Sequence, residues 1–304
     1  MMREPLKQIA MILRGCLPRV TAVALLAFAT PGTVWAEHVL DRINNTGVFN
    51  AGTRTDALPF AYRDKKGQLV GFSVDLLREI HKRLEQRFGR TIEMKLVPTT
   101  ASDRMEMVAN AAIDIQCGIA TPTWEREVLV DFSIPFFGNG TRIMTLRTTA
   151  MRLEDLRGKR IGVATGTTTA GILAEYVPDA VIVEVPNMDV GFALFERGEI
   201  DGLSNIGIVL RAKVEKSPLK SKVVLLPRTE ALSYESMACI LPQNDSEWRD
   251  FVNRAFVELF DGVDEFRGPY IEIHERWFGP RGVIYFPLDY AVAQRLAAAI
   301  IWLK

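Results

Sequence analysis

The sequence predicts an α/β fold in two lobes, and three observations carry that expectation. From residue 48 onward, short apolar runs alternate with amphipathic stretches, the pattern of strands joined by helices in parallel sheets. The alternation restarts after Leu153-Glu154-Asp155-Leu156-Arg157-Gly158-Lys159, which opens a second, shorter unit. At 304 residues, 48% hydrophobic and 24% charged, the chain has apolar material for two cores of ordinary size.

Residues 1–36 stand apart from these lobes. Arg3, Lys7, Arg14 and Arg19 precede an apolar run at 20–29, followed by Pro31-Gly32 and Val34-Trp35-Ala36 with small residues at the third and last positions before a cut. This reads as a secretory signal peptide, since the run is shorter than the ~20 residues of a spanning helix. Cys16 lies before the apolar run, which argues against a lipoprotein site. The chain is therefore expected in the periplasm. Its 37 basic and 37 acidic residues cancel, which gives no support to a nucleic-acid partner or a polybasic membrane contact.

In the first unit, 48–52 reads as a strand, Lys66-Gly67 as a turn, and 74–88 as a helix with Leu76, Leu77, Ile80 and Leu84 on one face. A strand at 92–97, a helix at 103–110 and an apolar strand at 111–119, broken by Asp114 and Gly118, follow. Thr121 can then cap a helix whose first residue is Pro122, placing Arg126 one turn in. A carboxylate there would meet free backbone N–H groups, a helix dipole and a bidentate guanidinium. Taken alone, Glu125, Arg126 and Glu127 fit a solvated surface helix equally well. The segment 143–147 leads away from this unit.

The second unit reads as strand 160–164, loop Thr165-Gly166-Thr167-Thr168-Thr169, helix 170–176, strand 181–185, helix 190–197, strand 200–204 and helix 207–216. The loop lacks the Lys of a phosphate loop, which argues against a nucleotide, yet a glycine turn before a helix can hold a small anion. A turn with hydroxyl caps is the alternative. Segments 223–227 and 236–241 lead back, and 247–260 is amphipathic through Trp248, Phe251, Val252, Ala255, Phe256 and Leu259. The apolar tail helix at 291–303 is too short to span and is expected to pack on the body. The expected boundaries are 37–145 and 233–280 for the first lobe, 146–232 for the second and 281–304 for the tail.

Catalytic constellations are sparse. His38, His81 and His274 are far apart, no Gly-x-Ser-x-Gly elbow occurs, and neither a metal nor a cofactor is indicated. Export leaves Cys117 and Cys239 in an oxidising compartment, where an even count favours a disulfide over two buried thiols. A bridge would return the chain near 239 to the neighbourhood of 117.

Over about residues 40–280 an ordered series of motifs can be read. It runs through Gly52-Thr53-Arg54, Pro59-Phe60, Gly71-Phe72-Ser73-Val74-Asp75-Leu76, Thr121 with Glu125-Arg126, Asp131-Phe132-Ser133 and Pro135-Phe136. It continues through Gly158-Lys159, Gly166-Thr167-Thr168, Gly198 with Asp201, and Arg276-Trp277-Phe278-Gly279. In this the chain resembles the periplasmic solute-binding proteins (family 3) of polar amino-acid ABC importers, and most of all their glutamate/aspartate-binding branch. The resemblance implies a type II periplasmic-binding fold, two α/β lobes joined by a two-crossing hinge near 143–147 and 231–239. It implies that Arg126 and Thr121 hold a ligand α-carboxylate with Thr167 and Thr168 opposite, and that Arg54 and Arg104 approach a second carboxylate. Ala120 and Asn205 complete the implied ligand set, and Cys117 and Cys239 match the disulfide of that branch. The implied partners are a small carboxylated ligand and an inner-membrane ABC permease, with the protein acting as a monomer by lobe closure.

Three positions depart from the pattern. Asn205-Ile206 stands where the family carries an aspartate for the ligand ammonium, Ile119 where a serine is frequent, and Met188 where the acidic branch has a histidine. The ligand is thus either an acidic amino acid or a dicarboxylate without an ammonium. An exported cyclohexadienyl dehydratase-like enzyme or a ligand-sensing module are the alternatives, but no positioned general acid is evident and a non-enzyme is expected.

Overall fold

The computed structural model describes residues 38–301; the expected signal peptide and the final residues of the tail lie outside the described residues. Helix α1 (Val39–Thr46) buries Val39, Leu40 and Ile43 and stops at Gly47 in the left-handed region. Strand β1 (Val48–Arg54) runs through the first core, and β2 (Asp56–Ala57), β3 (Ala61–Arg63) and β4 (Leu69–Val70) make a small antiparallel sheet beside it. Helix α2 (Phe72–Phe88) starts two residues before the expected position because Phe72 is itself core, packed edge-on to Phe60, Phe137 and Tyr270. Strand β5 (Glu93–Thr99), helix α3 (Arg104–Ala109), strand β6 (Ile115–Ala120), the single turn α4 (Trp124–Glu127), and strands β7 (Asp131–Phe132) and β8 (Phe137–Asn139) complete this passage.

Strand β9 (Thr141–Leu146) opens the second body. It is followed by β10 (Arg160–Ala164), α5 (Thr169–Tyr176), β11 (Val181–Val185), α6 (Met188–Glu196), β12 (Gly202–Ile206), α7 (Gly207–Val214) and β13 (Val223–Leu226). The chain returns through β14 (Glu235–Leu241), α8 (Ser246–Leu259), α9 (Pro269–Phe278) and α10 (Tyr290–Ile301). Helix α9, not anticipated from the sequence, opens with Pro at its first position and buries Tyr270, Ile273, His274 and Phe278. The tail helix packs on the body as expected, with Ala293 and Leu296 buried. Among the described residues no helix is long and apolar enough to cross a membrane.

The two large sheets are mixed, where wholly parallel ones were expected. The first runs β5-β1-β6-β14-β7, with β8 also on β14; β5, β1 and β6 are parallel and β14 opposes β6. The second runs β11-β10-β12-β9-β13, with β11, β10 and β12 parallel and β9 reversed. Each sheet thus takes one antiparallel strand from a segment that has just crossed from the other body.

This corrects the expected hinge at 143–147. Ile143 and Met144 are fully buried in the second sheet between β12 and β13, so the outward passage falls at Gly140 and residues 141–145 belong with the second lobe. The return passage lies between β13 and β14, overlapping the expected 231–239 only in its first residues.

Cys117 on β6 and Cys239 on β14 form the disulfide, with a Cα–Cα distance of 4.3 Å across a sequence separation of 122 residues. A loop of that length is valued at roughly 5 kcal/mol in the chain-entropy model. The bridge ties the returning strand to the centre of the first sheet, directly below the ends of β1 and β6.

Candidate functional site

The carboxyl ends of β1 and β6 and the start of α3 bring three arginines to one place. Arg54 ends β1 and is 1% exposed. Its stem passes over Gly118, where an added Cβ would lie 3.2 Å from Arg54 Cγ and 2.9 Å from Gln116 Nε2. The guanidinium donates to Asp56 through Nε (2.7 Å) and Nη2 (2.6 Å), while Nη1 has no partner. Burial pushes the Asp56 carboxyl upward, but the Arg54 charge and hydrogen bonds outweigh it and hold the group below its ordinary range.

Arg104, the first residue of α3, is also 1% exposed. Its one hydrogen bond runs from Nη1 to the Ile119 carbonyl at 3.4 Å, and Nε has no partner. Burial and then repulsion from Arg54 and Arg126 push its pKa well below the ordinary arginine value. A guanidinium stays charged in a protein, so the direction records an uncompensated cost that an incoming anion relieves.

Arg126 sits on α4, and here the structure corrects the sequence. Thr123, not Thr121, is the N-cap, accepting the Arg126 N–H on Oγ1 at 3.3 Å, and Pro122 lies before the helix. One turn of four residues sums too few peptide dipoles to supply the expected field. Arg126 instead uses its side chain, donating from Nη1 to the Thr121 carbonyl (2.7 Å) and from Nη2 to the Gly166 carbonyl on the other lobe (3.1 Å). Among the described residues neither Arg104 nor Arg126 forms an ion pair. Burial pushes the Arg126 pKa down, against the attraction of Glu235 and Glu125.

The second wall is neutral. Gly166 has φ +78°, and an added Cβ would lie 2.7 Å from Ala101 O and Ser102 Cα of the first lobe, so glycine is what allows the lobes to touch here. Thr167 donates to the Ala164 carbonyl at 2.7 Å, and Thr168 precedes the first residue of α5. Asn205 is 2% exposed; its Oδ1 accepts the Ile206 N–H at 2.9 Å and its Nδ2 lies 3.1 Å from Met188 Sδ.

Arg54, Arg104, Thr121, Arg126, Thr167, Thr168 and Asn205 line one cavity of about 20 Å³ together with Ile119, Thr169, Ile206 and Glu235. That is room for about one water molecule, so the lobes must part to admit a ligand. Ala120 alone of the expected set does not line it; its side chain is in a small core with Val108, Ile113, Val130 and Ile240. Two residues were missed. Asp56 pairs with Arg54 and also accepts the Met188 N–H of the second lobe at 2.9 Å; the Arg-x-Asp spacing was its only signal. Glu235 was hidden as the first residue of the returning strand, where an acid ahead of a buried apolar run was the available sign.

The family model of bacterial extracellular solute-binding proteins, family 3, matches residues 49–280. The chain belongs to that family. This family-3 protein is 29% identical over 237 residues to a glutamate/aspartate import solute-binding protein of Salmonella typhimurium, covering 75% of this chain and 77% of the relative. Among solved structures it superposes on an ArgBP from T. maritima with a TM-score of 0.69 at 28% identity, covering 79% of this chain and 99% of that one. An ancestral amino acid-binding protein, a precursor of cyclohexadienyl dehydratase, matches with a TM-score of 0.67 at 27% identity, covering 79% of this chain and 99% of that one. The fold of this family-3 protein is the type II periplasmic-binding architecture of two α/β lobes.

Proposed function

We propose that the protein captures a small solute with two carboxylates, an acidic amino acid or a close analogue, in the periplasm and presents it to an ABC permease by lobe closure. The observation that carries this reading is Arg104, a fully buried guanidinium in the cavity with no carboxylate partner and an unpartnered Nε. A buried unpaired charge costs several kcal/mol, and the cost is recovered only when an anion arrives. Arg126, with the Thr121 and Thr168 hydroxyls, is placed to take one carboxylate; Arg104 and the free Nη1 of Arg54 take the other. A ligand touching both walls binds the closed arrangement better than the open one and shifts the hinge equilibrium by that difference. A carrier is favoured over an enzyme because, among the described residues, Glu235 is the one acid lining the cavity and no histidine, cysteine or lysine lines it with Glu235.

The test is a thermal-shift and calorimetric panel of L-glutamate, L-aspartate, L-glutamine and L-arginine against the unsubstituted protein and Arg104→Met. Ligand at a hundred times its Kd adds about 2.7 kcal/mol of stability. Glutamate or aspartate is expected to bind at least thirtyfold more tightly than glutamine, the value of one charged hydrogen bond of about 2 kcal/mol. Arg104→Met is expected to erase that preference while raising the melting temperature of the empty protein, because it removes an uncompensated buried charge. Glutamine or arginine binding as tightly as glutamate would sink the reading.

A further inference from the structure

Within that ligand reading, on which this inference rests, one group is unassigned: the acid that meets a ligand's ammonium. The position the family pattern reserves for it is held by Asn205, and both ends of that amide are used, Oδ1 by the Ile206 N–H and Nδ2 beside Met188 Sδ. An ammonium placed in this cavity would otherwise face Arg104 and Arg126, neither of them ion-paired among the described residues, beside the Asp56-paired Arg54.

We propose that Glu235 is the ammonium-binding residue, through its Oε2 atom, and that it makes the site selective for 2-amino dicarboxylic acids over their deaminated analogues. The two oxygens of Glu235 have different neighbours. Oε1 accepts the hydroxyl of Thr141, the first residue of β9 after the outward passage, at 2.6 Å and that of Ser233 in the return passage at 3.1 Å, which fixes the carboxylate beside the hinge. Oε2 faces the cavity and accepts the Thr121 hydroxyl of the first lobe at 2.9 Å and the Thr168 hydroxyl of the second.

Thr121 and Thr168 are the two hydroxyls placed to serve the ligand's α-carboxylate. Each carries one rotatable proton. When they turn to that carboxylate, Oε2 loses both donors and is left with two open acceptor sites. An ammonium on the adjacent α-carbon refills them with charge-assisted bonds, so no hydrogen bond is lost in the exchange. A deaminated ligand moves the same hydroxyls and leaves Oε2 bare beside a second carboxylate. The empty protein therefore holds its hydroxyls on an internal carboxylate until an amino acid supplies both the replacement anion and the cation.

The test measures Kd for L-glutamate and glutarate, which share a carbon chain and differ in the ammonium, on the unsubstituted protein and on Glu235→Gln, an uncharged isostere whose oxygen still accepts hydroxyl protons while its nitrogen only donates. The unsubstituted protein is expected to prefer glutamate by about a hundredfold, and Glu235→Gln to weaken glutamate by about that factor while glutarate holds or improves. Equal affinity of the unsubstituted protein for the two ligands overturns the proposal whether or not the variant folds. An equal loss for both ligands in Glu235→Gln also overturns it, because it would mean that Glu235 only positions the hydroxyls. Binding of neither ligand, nor of aspartate, by the unsubstituted protein overturns the ligand reading itself, and this inference with it.

Discussion

The two walls of the cleft are built from different chemistry. The first lobe contributes three guanidiniums, two of them 1% exposed, on a frame tied by the Cys117–Cys239 bridge. The second lobe contributes hydroxyls, an amide and backbone carbonyls, with no charged group lining the cavity. The contacts that join the walls without a ligand are few: Arg126 Nη2 to the Gly166 carbonyl, the Met188 N–H to Asp56, and Thr168 to Glu235. Each has one charged partner on the first lobe, and such bonds contribute roughly 1.5–3 kcal/mol each, part of which water restores when the lobes part. The difference teaches a division of labour. The charged wall pays desolvation once, when the protein folds, and fixes what binds; the neutral wall adds bonds made only when the lobes meet, so a ligand that touches both walls shifts the cleft towards closure.

The largest expected effect breaks the charged wall. Arg126→Ala removes a guanidinium placed for bidentate contact, and two charged hydrogen bonds of about 2 kcal/mol each amount to about 4 kcal/mol, or roughly a thousandfold in Kd. Calorimetry with L-glutamate measures it. Micromolar affinity in the variant would mean that the arginine's bonds to Thr121 O and Gly166 O are its whole role.

The next separates the lobes by acid. His274 is 1% exposed among Phe72, Phe137, Tyr270 and Phe278, neither ring nitrogen has a partner, and burial pushes its pKa down to about 4. The unfolded histidine titrates near 6.5, so below that pH the unfolded chain takes a proton the folded one refuses. Stability is therefore complete above about pH 6.5, falls as the pH drops towards 4, and levels off below it. The 2.5-unit gap corresponds to about 3 kcal/mol. The sequence has no histidine between 82 and 273, which covers the whole second sheet. Hydrogen exchange at pH 4.5 should show the first lobe losing protection before the second, and His274→Phe should flatten that slope.

Much of this asymmetry was legible in the sequence. The alternation that set out β10 and β11 fixed the second lobe's frame: β10, paired on both sides and buried from Ile161 to Ala164, reads as an apolar run, and the edge strand β11 reads by its β-branched residues. Arg126 was readable from its place one turn after Thr121-Pro122, whereas Arg54 and Arg104 came from the family resemblance, since no local pattern marks a lone arginine as buried. Glu235 and Asp56 were not, since their importance comes from partners 94 and 132 residues away, Thr141 and Met188. The passage between lobes was misplaced for the same reason: 143–147 looks like a linking strand until its pairing with β12 and β13 is seen. Thr121 was read as a cap because Thr121, Pro122 and Thr123 offer two hydroxyls around one proline, and only the backbone tells which one meets the Arg126 N–H.

The smallest expected effect lies on the neutral wall and distinguishes two adjacent hydroxyls. Thr168 donates to Glu235 across the cleft and is free to turn to a ligand, whereas the Thr167 proton is committed to the Ala164 carbonyl within its own loop. Thr168→Ala removes one hydroxyl donor, worth about 1 kcal/mol or roughly fivefold in Kd. The loss should fall on the dissociation rate, because the bond exists only once the lobes have met. Thr167→Ala leaves the ligand's bonds in place and is expected to change Kd by less than about twofold. Stopped-flow release of glutamate from both variants measures the pair. A larger loss at Thr167, or an effect of either on association as large as that of Arg126→Ala, would mean that the second wall selects the ligand as the first does.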